Sequence, residues 1–121
     1  MDRVGHFTIP SDNPDKLRDF YSKTFGWSFE KWGKYEYWSA VTGPKDKPGI
    51  DGSITRKSAF ANEMVNTINV ENLDESMKKV VEFGGEVLFP KMPIPTIGWV
   101  TYFKDPDGNK FGLLQSDASV T

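Results

Sequence analysis

The sequence predicts an α+β domain made of two βαβββ modules, one near residues 1–58 and the other near 59–121. Three observations carry this prediction. A helix signal with a polar cap and an acidic first turn occurs twice. Its landmarks keep one spacing, since Asn13 and Asn72, Asp15 and Asp74, and Gly26 and Gly85 all differ by 59 positions. Each helix signal follows one strand-like segment and precedes about three more. Neither half alone would cover both its helix and its sheet, so the modules are expected to pack together.

The elements follow in order. Val4–Pro10 alternates like a strand and stops at a proline. Asn13 is a helix cap, Pro14 suits the first helical position, and Asp15 suits the positive end of the dipole. Leu17, Phe20, Tyr21 and Phe25 recur at helical spacing and define the expected buried face. Gly26 ends this helix. Strands are expected at Trp27–Trp32, Tyr35–Thr42 and Gly49–Arg56, the first two flanking a short Gly33-Lys34 turn.

In the second half, Met64–Val70 reads as a strand and Asn72 caps a helix with Met77, Val80 and Val81 inward. Gly84-Gly85 ends it. Glu86–Phe89, Trp99–Lys104 and Phe111–Gln115 complete the module. Between the last two, Asp105-Pro106-Asp107-Gly108-Asn109 has the chemistry of a structural turn. Pro90–Gly98 is apolar and rich in proline, and reads equally as a rigid crossing loop or as the lip of a cavity.

Composition narrows the chemistry. There is no cysteine, which excludes thiol nucleophiles, disulfides and Cys-based metal sites. There is one histidine, so a site of two imidazoles and one carboxylate can be completed only in an oligomer. With 15 Lys plus Arg against 17 Asp plus Glu, the formal net charge is -2, which speaks against nucleic acid as the main partner. Lys45 and Lys47 read as solvated loop residues. No apolar run approaches the roughly 20 residues needed to span a bilayer, and the expectation is a cytoplasmic protein that does not enter membranes. Aromatic residues make up 14% of the chain, enough to furnish either an aromatic core or a ring-lined cavity.

Three stretches in this order resemble the vicinal oxygen chelate superfamily, also called the glyoxalase/bleomycin-resistance/dioxygenase fold. They are His6-Phe7-Thr8-Ile9-Pro10, Phe20-Tyr21 with Phe25-Gly26-Trp27, and Asp105-Pro106-Asp107-Gly108-Asn109-Lys110-Phe111-Gly112-Leu113. The resemblance covers nearly the whole chain. It implies curved mixed sheets around a cup-shaped cavity, and a homodimer. In metal-dependent members it implies ligands at four sheet positions, one on the first strand and one near the last strand of each module. Here His6 matches the first of these. The second falls on Val65, or on Asn66 with a one-residue slip. The third falls on Gly112, where metal-dependent members carry a Glu. The fourth falls near Asp51 or Gly52. A catalytic divalent metal normally needs about three protein ligands, so the expectation is no metal and no other cofactor.

Three readings of His6 stay open: a metal ligand, a general base near neutral pH, or a satisfied polar group within the sheet. The ligand-contacting residues expected are His6, Trp38, Asp51, Trp99 and Tyr102, with His6 the catalytic candidate. Trp38 and Trp99 are placed in a cavity or an interface. Glu30 and Glu36 are expected to be solvated. The function this implies is binding of a small organic molecule without a catalytic metal. The alternatives are a metal-dependent lyase or isomerase of the glyoxalase type, and a regulatory or partner-binding domain. An extradiol dioxygenase is disfavoured by the single histidine.

Overall fold

The computed structural model describes residues 2–121. The chain divides into two compact units, His6–Val65 and Asn66–Thr121, the latter joined by the N-terminal residues up to Gly5. The fold class is α+β, as the sequence predicts.

In the His6–Val65 unit, strand β1 (Arg3–Ser11, entering the unit at His6) leads to helix α1 (Pro14–Phe25) and strands β2 (Ser28–Lys31), β3 (Tyr37–Val41) and β4 (Gly52–Arg56). The strand order is β2-β3-β4-β1. β1 pairs parallel with β4, and the other pairings are antiparallel. The Asn13 side chain accepts a hydrogen bond from the Lys16 amide, and Gly26 ends the helix at φ 75°, a conformation that disfavours any residue with a Cβ.

The inner face of α1 differs from the expected one. Phe20 and Phe25 are 52% and 63% exposed, whereas Pro14 is buried and Leu17, Arg18 and Tyr21 are half-buried. The inward positions run 14, 17, 18 and 21, which leaves Phe20 and Phe25 outside that stripe. Both rings stay tied to the aromatic group around Tyr21. Phe20 meets Tyr21 edge-on at 5.1 Å, and Phe25 lies 6.0 Å from Trp27, which itself stacks on Tyr21 at 4.7 Å.

In the second unit, β5 (Val65–Asn69, entering the unit at Asn66) leads to α2 (Leu73–Glu82), β6 (Glu86–Val87), β7 (Met92–Ile94), β8 (Gly98–Lys104) and β9 (Lys110–Ser116). The order is β5-β9-β8-β6, with β7 also on β8. β5 and β9 are parallel, so first and last strands pair as they do in the other unit. The proline-rich segment expected to be a loop or lip thus contributes a short strand, with Pro93 opposite Trp99. Asn72 caps α2 by accepting from the Glu75 amide. The Asp105 carboxylate accepts from the amides of Asp107 and Asn109, each at 2.9 Å, and so closes the β8–β9 turn.

Val70, Leu73 and Leu113 form a buried cluster against which Ile68, Met77, Val80, Trp99 and Phe103 pack. Val81, expected inward, is 61% exposed, and Leu73 at the start of the helix takes the buried place. Among the described residues no helix is long and apolar enough to cross a membrane.

Leu73 is fully buried. Leu73→Ala is therefore expected to cost about 2–5 kcal/mol through lost burial and the cavity left behind. Val81→Ala should stay within about 0.5 kcal/mol. Urea unfolding of the two variants checks both values.

Candidate functional site

Strand parity sorts the side chains of the first unit. Thr8 lies opposite Ser53 across β1–β4, and Ser53 lies opposite Ser39 across β3–β4. Alternation then places His6, Thr8, Tyr37, Ser39, Ser53 and Thr55 on one face. Phe7, Ile9, Trp38, Ala40 and Ile54 occupy the other face, the side of α1. One face is apolar and packed, and the other carries hydroxyl groups around a single imidazole.

His6 Nε2 lies 3.0 Å from Ser53 Oγ and 3.4 Å from Tyr37 OH. Ser53 Oγ also lies within reach of Thr8 Oγ1, at 3.3 Å. Ser53 is fully buried, while His6, Thr8 and Tyr37 are half-buried. Ser53 Oγ gives its one hydrogen to Thr8 Oγ1, so toward His6 Nε2 it presents an acceptor lone pair, which suits a neutral ring carrying its hydrogen on Nε2.

The electrostatics agree. Burial lowers the His6 pKa below the ordinary value of 6.5, and the negative charge of Asp51 acts in the opposite direction. Burial raises the Tyr37 pKa, partly offset by its hydrogen bond with Ser53. Both groups are therefore held neutral near pH 7. The arrangement offers a ligand neutral donors and acceptors, with one imidazole able to take a proton.

The other expected site residues fall as follows. Asp51 Oδ1 accepts from the Thr42 amide at 2.9 Å, and the residue lines a cavity of about 400 Å3 along the β3–β4 loop with Lys45 and Lys47. Its influence on His6 is through charge. Trp38 does not join His6. It is buried on the α1 side, with the Arg18 guanidinium carbon 4.2 Å from its ring centroid. Trp99 likewise turns to the α2 side, packing on the Val70–Leu73–Leu113 cluster with Lys91 Nζ 5.0 Å above its ring. The physical reason is the same for both tryptophans: a one-residue step along a strand reverses the face. Tyr102 takes the opposite face of its unit from Trp99. It lies across from Gly112, and its ring is 5.4 Å from that of Phe89.

Sequence reasoning missed Thr8, Tyr37 and Ser53 as site residues. The signal for Ser53 was present in the repeat. Thr8 pairs with Ser53 as Thr67 pairs with Gly112, and both members of the second pair lie 59 positions after those of the first. The residue matching Gly112 is therefore Ser53, not Asp51 or Gly52.

The sequence matches the glyoxalase/bleomycin resistance protein/dioxygenase superfamily over residues 3–113. The chain belongs to that superfamily. No curated protein matches it. Among solved structures, it resembles methylmalonyl-CoA epimerase from Streptomyces coelicolor in complex with 2-nitronate-propionyl-CoA. That match has TM-score 0.66 at 17% identity and covers 100% of this chain and 99% of that one. Methylmalonyl-CoA epimerase from Mycobacterium tuberculosis gives TM-score 0.64 at 13% identity, over 93% and 87% of the two chains. A hypothetical protein from Bacillus halodurans C-125 gives TM-score 0.71 at 12% identity, over 98% and 97%. At such identities the likeness establishes a shared fold.

At the strand positions where the resemblance to metal-dependent members implies ligands, the first unit carries His6, Ser53 and Val65 and the second carries Gly112. In neither unit do these residues fit a divalent ion. Valine and glycine offer no side-chain donor, and the Ser53 hydroxyl is engaged with His6. Among the described residues there is no group of three or more His, Asp or Glu side chains placed to hold a metal ion.

The lowered His6 pKa has a defined consequence for stability. The unfolded chain binds a proton more readily than the folded one. The contribution of His6 is thus full above pH 6.5 and is lost as pH falls through the folded-state value. The imidazole resonance, free of overlap because the chain has one histidine, should titrate below 6.5, and lower still in Asp51→Asn. The stability difference between the native chain and His6→Gln, measured by urea unfolding, should shrink as pH drops from 7.5 to 5.5.

Proposed function

We propose that this chain is a small-molecule-binding member of its superfamily that works without a catalytic metal. Its recognition groups are on the polar face of the His6–Val65 unit. The observation that carries this reading is the 3.0 Å contact between His6 Nε2 and Ser53 Oγ. It joins two of the four strand positions in an internal hydrogen bond and engages one of the two ring nitrogens through which an imidazole can bind a metal. Tyr37 and Thr8 extend this bond into a group of neutral donors and acceptors. A bound molecule would meet Tyr37 OH and the His6 ring, which are half-buried, while Ser53 and Thr8 hold that ring in place.

The chemistry favours recognition over turnover. A neutral imidazole already shared between two hydroxyls is a good hydrogen-bond partner for a carbonyl or hydroxyl group. Desolvation keeps it uncharged, so a proton taken from a ligand is poorly stabilised there. Tyr102 is the contact proposed for the second unit, through its ring and hydroxyl.

The test uses the His6 imidazole resonance as reporter. Neutral carbonyl-containing fragments and methylmalonyl-CoA, the substrate named for the structural relatives, are titrated into the protein with EDTA present. A saturable shift with at least one probe is expected. Tyr37→Phe should weaken that probe's binding about 5-fold, the value of one hydrogen bond. Binding that appears only after Mn2+ replaces EDTA would sink the metal-free reading.

A further inference from the structure

The second unit explains why position 112 is glycine. Strand β9 is paired on both sides, with Gly112 between Thr67 of β5 and Tyr102 of β8. A Cβ placed on Gly112 would lie 2.8 Å from Thr67 Oγ1 and 3.1 Å from the Tyr102 ring. Neither neighbour can readily retreat. Thr67 is buried and β-branched, which restricts its rotamers. The Tyr102 ring also packs on the Phe89 ring at 5.4 Å and has Lys110 Nζ 5.0 Å from its centroid. Gly112 itself cannot shift without disturbing two ladders of hydrogen bonds.

The matching position in the first unit gives the control. There Ser53 carries a Cβ and faces Thr8 on one side and Ser39 on the other. Thr8 there tolerates the Ser53 side chain, so the difference lies across the other ladder, where Ser39 in the first unit is replaced in the second by the Tyr102 ring, 3.1 Å from a Cβ on Gly112.

We propose that Thr67 and Tyr102 together are specificity-determining residues that hold position 112 to glycine. The crowding around this position excludes the carboxylate that would serve there as a metal ligand. The inference concerns the second unit alone and stands independently of what binds at His6.

Thermal unfolding and Mn2+ titration test it. Gly112→Ala should lower Tm by roughly 5 °C or more. In a Thr67→Ala/Tyr102→Ala background the same change should cost far less than it does alone, a clear departure from additivity. Should Gly112→Ala fail to give folded protein, recovery of folded protein in that background supports the steric lock, and continued failure overturns it. Gly112→Glu alone should gain no Mn2+ affinity over the native chain by isothermal calorimetry. An unchanged Tm for Gly112→Ala, additive costs, or a gain in Mn2+ affinity for Gly112→Glu would each overturn it.

Discussion

The parallel pairing of first and last strands within each unit is the constraint on which the candidate site depends. In the first unit it sets Thr8 beside Ser53 and brings His6 within hydrogen-bonding distance of Ser53. In the second it sets Thr67 beside Gly112. One register, repeated 59 positions later, carries two different outcomes. Where the facing residues are small and polar, a histidine and a serine satisfy each other. Where a tyrosine faces the same position, the residue is glycine, and a Cβ there would crowd both Thr67 and the tyrosine ring.

The polar cluster is affordable because it is closed. A buried hydroxyl or imidazole without a partner would cost on the order of 1–3 kcal/mol. Here Ser53, which is fully buried, reaches both His6 and Thr8. Keeping His6 neutral avoids the larger penalty of burying a charge. The opposite face of the same strands is apolar, so the hydroxyl-bearing face is set by alternation and not by chance exposure. Arg18 is the exception on that side, with its guanidinium spread over Trp38 and paired with Asp15.

Much of the fold could be read from the sequence because its signals are local. Asn13, Asn72, Gly26 and the Asp105–Asn109 turn act through bonds within a few residues, and each has the role its chemistry suggests. Parity and register are not local. Trp38 and Trp99 were expected at a ligand, yet a step of one residue turned both toward helices. Phe20 and Phe25 had helical spacing, but the inner stripe of α1 was set by Pro14, Leu17, Arg18 and Tyr21 instead. His6 stands out in the sequence as a candidate because it is the only histidine and lies in a matching motif. Ser53 and Tyr37 do not, since ordinary residue types acquire meaning only when strands 31 and 47 positions away are brought alongside. Asp51 was close in sequence to the right place but two residues short, and its carboxylate is used by Thr42.

Strand β7 has a consequence of another kind. It is only Met92-Pro93-Ile94, and its central residue has no amide hydrogen. A short strand of this sort offers an incoming chain an interrupted row of donors. Natural sheets use brevity and proline in this way to discourage unwanted strand addition. In a unit rich in β-structure, Pro93 thus works as a guard against self-association into extended aggregates.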